Sequence, residues 1–143
     1  MKNLISKIKK LVVSDCFNFK KIDCCRIVCS KCLLKLKVDK CADTSFGFKG
    51  GCDCILILKD KVIIVECKCN KFGSGDAKRA TKQVTKCYEL LREKLDYNGV
   101  IRAVILHENV DSTAAQRVRL ELKALGLSPK FSKCGHDIAK LFK

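Results

Sequence analysis

The sequence predicts one α/β domain over residues 1–143, on the strength of its apolar runs, its helix patterns and its length. Cys52 to Leu58, Val62 to Cys67 and Val100 to His107 are nearly continuous in apolar residues, the pattern of strands buried on both faces. Segments with helical spacing or helix stop signals alternate with them at 4–12, 74–95 and 113–126. A chain of 143 residues with 48% hydrophobic content is long enough to enclose one core.

Taken in order, Leu4, Ile5, Ile8, Leu11 and Val12 recur at helical spacing, with Lys2, Lys7, Lys9 and Lys10 on the other side. This is an amphipathic first helix facing the core and ending near Ser14 and Asp15. From Leu33 to Val38, Leu34, Leu36 and Val38 alternate with Lys35 and Lys37, as in a half-exposed strand. Asp43 to Gly51 reads as a flexible approach to the next strand. The runs at 52–58 and 62–67 flank the short polar break Lys59-Asp60-Lys61, the sign of a β-hairpin. Gly73-Ser74-Gly75-Asp76 then provides a break and a helix cap, and the helix is expected to run to about Leu95. After the strand at 100–107 come a helix from Thr113 closed by Gly126, with Pro129 beyond it, a short strand at Lys130 to Lys133 and a last helix from His136.

The hairpin places chemistry. With a two-residue turn at Lys59-Asp60, Leu58 faces Lys61, and counting outward sets Asp53 opposite Glu66. Strand side chains alternate faces, so Asp53, Ile55 and Ile57 share one face, and Glu66 and Lys68 share one face of the partner strand. Cys52, Cys54, Cys67 and Cys69 are expected to point the other way. Facing carboxylates about 5 Å apart repel unless a cation bridges them. Mg²⁺ suits such a pair, because it takes hard oxygen ligands and often keeps only one or two protein carboxylates. Lys68 on the same face is suited to orienting or activating a water.

At these residues the chain resembles the PD-(D/E)XK nuclease superfamily, whose motif is an acid after a turn, a hairpin, then E-x-K; here it stands as Asp53, Glu66 and Lys68. The resemblance covers about residues 1–107 and leaves 108–143 as a helix–strand–helix extension. It implies a restriction-endonuclease-like core of order αβββαβ, with a mixed central sheet flanked by helices. It also implies Mg²⁺- or Mn²⁺-dependent hydrolysis of DNA, with the metal on Asp53, Glu66 and the Cys67 backbone carbonyl and with Lys68 assisting the nucleophile. Within the superfamily the compact length and basic balance look like archaeal Holliday junction resolvases, structure-specific homodimeric endonucleases of recombination and repair. The chain departs from the pattern in carrying Cys52 where a proline is usual and in having no glutamate before Glu66, so Asp23 or Asp15 would supply the further acid that many members place on their first helix. Alternatives are a catalytically silent DNA-binding protein of the same fold, a RecB-like exonuclease with a cysteine-bound metal cluster, and a zinc-stabilised interaction module.

Charge agrees with a nucleic-acid partner. Thirty Lys and Arg against fifteen Asp and Glu give a net charge of +15, which draws the chain to a polyanion. Lys49, in a glycine-bearing loop, Lys71, the helix residues Lys78, Arg79 and Lys82, and Gln83 are the expected DNA contacts. No apolar run approaches the length of a membrane-spanning helix, and the first residues lack a signal-peptide pattern, so a cytoplasmic location without membrane association is expected. Of the twelve cysteines, Cys25, Cys29, Cys32 and Cys41 have the density of Zn²⁺ or iron–sulfur ligands. Disulfides, or plain burial along a helical stripe through positions 25, 28, 29 and 32, account for the same spacing.

Overall fold

The structure, a computed structural model, describes residues 1–142. In chain order its elements are α1 (Lys2–Leu11), β1 (Lys21–Ile22), β2 (Cys25–Arg26), β3 (Leu34–Lys37), the one-turn helix α2 (Asp43–Ser45), β4 (Cys54–Ile57) and β5 (Val62–Cys67). They continue as β6 (Lys71–Phe72), α3 (Ser74–Glu89), β7 (Ile101–His107), β8 (Asn109–Val110), α4 (Ser112–Lys123), β9 (Lys130–Lys133) and a 3-10 segment at Ile138–Phe142. A wide turn, Leu90–Lys94, prolongs α3 almost to the expected Leu95.

The apolar runs build a five-stranded mixed sheet of order β3-β4-β5-β7-β9. Its first three strands are antiparallel, while β7 and β9 run parallel to β5. Period-two alternation sorts the side chains into two cores. Ile55, Ile57, Val62, Ile64, Ala103 and Ile105 pack with α1, α3 and α4 on one face. Cys54, Leu56, Ile63, Val65, Val104 and Leu106 meet Ile22, Cys25, Ile27, Ile138 and Phe142 on the other. The long helices therefore lie on one face of the sheet rather than on both. The opposite face is covered by the β1–β2 hairpin and the closing 3-10 segment.

Several local expectations change. Leu11 is exposed, because α1 ends there and extended Val12 turns the chain back into the core. Residues 25–32 form no helix, so the helical stripe of cysteines does not exist; β2 and an irregular loop occupy that stretch. The approach from Asp43 to Gly51 is pinned rather than loose. Asp43, 3% exposed, accepts from the N–H groups of Thr44 at 2.8 Å, Gly50 at 3.0 Å and Lys40 at 3.3 Å. These bonds satisfy a buried carboxylate and fix the loop that delivers Asp53.

Ten cysteines are paired as Cys16–Cys41, Cys24–Cys69, Cys25–Cys134, Cys29–Cys32 and Cys52–Cys87, leaving Cys54 and Cys67 free. Among the described residues no helix is long and apolar enough to cross a membrane.

Candidate metal centre

The turn Lys59-Asp60 closes with the Leu58 N–H donating to the Lys61 carbonyl at 2.9 Å, and the ladder runs from Ile57 opposite Val62 to Cys54 opposite Val65. Asp53 and Glu66 thus come together one step beyond the last ladder pair. Each carboxylate takes a backbone N–H from the other's strand: the Asp53 N–H donates to Glu66 Oε1 at 3.2 Å, and the Cys67 N–H donates to Asp53 Oδ2 at 2.7 Å. The N–H and C=O of a strand residue point to the same edge, so the Cys67 carbonyl lies on the edge that faces Asp53.

Regular alternation stops just before Asp53. Gly50 and Gly51 have φ of 82° and 95°, a region where side chains are disfavoured, and they turn the chain sharply into the strand. Cys52 consequently joins the α3-facing core and bonds Cys87 on that helix, instead of pointing away with Cys54. Cys69 also departs from the expected direction, since it borders the pocket beside Lys68.

Asp53, Glu66 and Lys68 line a pocket of about 290 Å³. Asp76, Arg79 and Gln83 of α3 close one side, and Asp23 and Asp39 reach it from the other. Asp23 stands in the β1–β2 turn; Asp15 is not among the pocket residues. Asp39 is a residue that sequence reasoning missed. Its place follows from the pairing of β3 with β4, which carries on past the ladder as the Val38 N–H donates to the Asp53 carbonyl at 3.0 Å.

The acids crowd one another. Burial, with Asp53's negative charge next, holds the Glu66 carboxyl well above the usual glutamate range. Asp53 is also raised, again by burial first, against the opposing hydrogen bond from Cys67. Lys68 Nζ sits 3.4 Å from Asp76 Oδ1, while the other oxygen of Asp76 caps α3 by accepting from the Gly73 N–H at 2.8 Å. Gln83 Oε1 is buried without a hydrogen-bond partner.

The basic residues divide. Arg79 and Gln83 border the pocket, whereas Lys78, Lys82 and Lys71 are exposed outside it. Lys49 is displaced towards the far part of α3, where its carbonyl accepts from Lys86 Nζ at 3.1 Å. The four cysteines with ligand-like spacing fall into three separate disulfides and do not converge: Cys25 pairs with Cys134, Cys29 with Cys32, and Cys41 with Cys16.

No family model, curated protein or solved structure matches this chain. The residues themselves decide what the centre can hold. Among the described residues no three His, Cys, Asp or Glu side chains are grouped to hold an ion. Asp53, Glu66 and the Cys67 carbonyl form instead a set of two carboxylates and one carbonyl. Hard oxygens of that kind, in a polar pocket with room for water, are the donor type that Mg²⁺ or Mn²⁺ takes.

Proposed function

We propose that this chain is a divalent-metal-dependent nuclease acting on DNA, of the PD-(D/E)XK type, with a restriction-endonuclease-like core. The observation that carries the reading is the pairing of half-buried Asp53 with buried Glu66 at adjacent strand ends, with Lys68 lining the same pocket. A Glu66 carboxyl raised by burial and by Asp53's charge, beside an Asp53 carboxyl raised by burial, is costly for a purely structural site and is relieved by a cation. The sheet order β3-β4-β5-β7, with β7 parallel to β5 and α3 between them, agrees with the αβββαβ arrangement of that superfamily.

Asp53, Glu66 and the Cys67 carbonyl hold Mg²⁺ or Mn²⁺ in this reading. When bound, the metal lowers the pKa of water and neutralises charge that develops on the phosphate. Lys68, drawn from its contact with Asp76, orients the attacking water and stabilises the growing charge. Gln83 offers its unpaired oxygen as an acceptor, and Arg79 offers a guanidinium to a phosphate at the pocket rim. Lys78 and Lys82 extend the positive surface along α3. Asp23 and Asp39 stand behind the metal ligands as outer acids.

Within this class the reading extends to a structure-specific endonuclease similar to Holliday junction resolvases, acting as a homodimer. The test is cleavage of labelled linear duplex, single strand and four-way junction with Mg²⁺ or EDTA, alongside Glu66→Ala. Metal-dependent cutting that disappears in the variant while DNA binding persists is expected, with the junction as the preferred substrate. Binding without cutting in the wild type would favour a catalytically silent DNA-binding protein.

A further inference from the structure

Adjacent cysteines in the β1–β2 hairpin are tied in opposite directions. Cys25, fully buried, is bonded to Cys134 in the core beneath the sheet, whereas exposed Cys24 reaches across to Cys69, the residue after Lys68. The Cys24 N–H also donates to Cys69 Sγ at 3.2 Å. Between the two strands stands Asp23, in the left-handed region at φ 51° and bordering the metal pocket. The cross-link thus ties the turn that carries Asp23 to the residue that follows Lys68.

We propose that the Cys24–Cys69 disulfide is a redox-controlled clamp that fixes Asp23 at the mouth of the metal pocket; the inference rests on the metal reading above. Two disulfides touch the site, and only one is accessible. Cys52 and Cys87 are both fully buried, while Cys24 is open to solvent. Thiol–disulfide exchange requires a thiolate to reach a sulfur, so of the two bridges at the site a reductant meets Cys24–Cys69 first.

The reductant is a dithiol. One of its thiolates attacks one sulfur of the bridge, forming a mixed disulfide and releasing the other cysteine as a thiolate that takes up a proton. The second thiol of the reductant then displaces the remaining cysteine, which is protonated in turn. The bridge gains two electrons and two protons, and the dithiol becomes a disulfide. Cys25–Cys134 and the pairs Lys21–Arg26 and Ile22–Cys25 keep the base of the hairpin in place. Opening the clamp therefore releases the turn and withdraws the Asp23 charge from the pocket without unfolding the hairpin. Oxidised protein holds the cation tightly; reduced protein holds it weakly.

The experiment measures Mn²⁺ binding by the loss of the free-ion electron paramagnetic resonance signal, on the full chain. Samples are oxidised wild type, wild type treated mildly with dithiothreitol, the C24S/C69S variant and Glu66→Gln. Alkylation and peptide mapping identify which bridge opens. Cys24–Cys69 is expected to open before Cys52–Cys87, with Mn²⁺ affinity falling about 10- to 100-fold, the effect of losing an outer partner of a metal site. C24S/C69S should bind as the reduced wild type does, whether or not dithiothreitol is present. Affinity in C24S/C69S equal to that of oxidised wild type, or opening of Cys52–Cys87 before Cys24–Cys69, overturns the clamp. Loss of binding in Glu66→Gln with no effect of the clamp overturns the clamp alone, whereas no binding by oxidised wild type removes the metal reading together with the clamp.

Discussion

Glu66 is 8% exposed, and burial, with the neighbouring Asp53 charge next, favours the protonated form of its folded state even though its side chain accepts from the Asp53 N–H. Because burial raises its folded pKa above the unfolded value, folded protein binds more protons than unfolded protein between those two values. Stability of the metal-free protein must then fall as pH rises through that window, by at most about 1.4 kcal/mol per pH unit for one proton. Asp53 adds a change of the same sign, and the two titrate as a pair. Thermal melts in EDTA should therefore show wild type losing stability from pH 5 towards pH 8, with Glu66→Gln flattening the slope and melting above wild type at neutral pH. Identical slopes in the two proteins would mean that Glu66 is not the strained group. The pairing of Asp53 with Glu66 was legible in the sequence because a two-residue turn and simple counting determine it. Asp39 was not, since its place depends on the long-range register of β3 against β4.

At the scale of elements, the segment leading into β4 decides whether the carboxylates meet. A Cβ on Gly51 would lie 2.7 Å from Phe48 Cε2, and its φ of 95° already disfavours any side chain. Gly51→Ala should destabilise the protein by about 1–3 kcal/mol and weaken Mn²⁺ binding, as measured by denaturant melts and titration. The exposed side of α3 carries the polyanion prediction. K78A/K82A should lower DNA affinity at low salt and reduce the slope of log K against log[salt] by about 2, because two phosphate contacts are lost. An unchanged slope would move the interface elsewhere. The hairpin, α3 and β7 were readable from apolar runs and caps. The stretch 21–33 was not, because its conformation is imposed by cross-links to Cys69 and Cys134 that no local pattern announces. Cys52 was misplaced for a related reason: two left-handed glycines break the alternation on which its expected direction relied.

Over the whole molecule, the long helices share one side of the sheet, while the other side is sealed by a hairpin and a terminal segment. Cys25–Cys134, at a sequence separation of 109, ties those two coverings together and contributes about 5 kcal/mol in the chain-entropy picture. Five disulfides are usual in oxidising compartments and in intracellular proteins of hyperthermophiles, so the redox surroundings bear directly on both stability and the site. The net charge of +15 attracts polyanions without sequence preference, and in the proposed reading the small acidic pocket is where a cation and a phosphate meet. The measurement that tests this account most directly pairs single-turnover cleavage of labelled DNA with Mn²⁺ binding in wild type, Asp53→Ala and Lys68→Ala. Asp53→Ala should lose both properties, while Lys68→Ala keeps metal binding and cuts about 10²- to 10³-fold more slowly, as expected for removing one group that acts on the transition state. Cleavage by either variant at the wild-type rate would contradict the assignment of this strand-end pair as the centre of the chemistry.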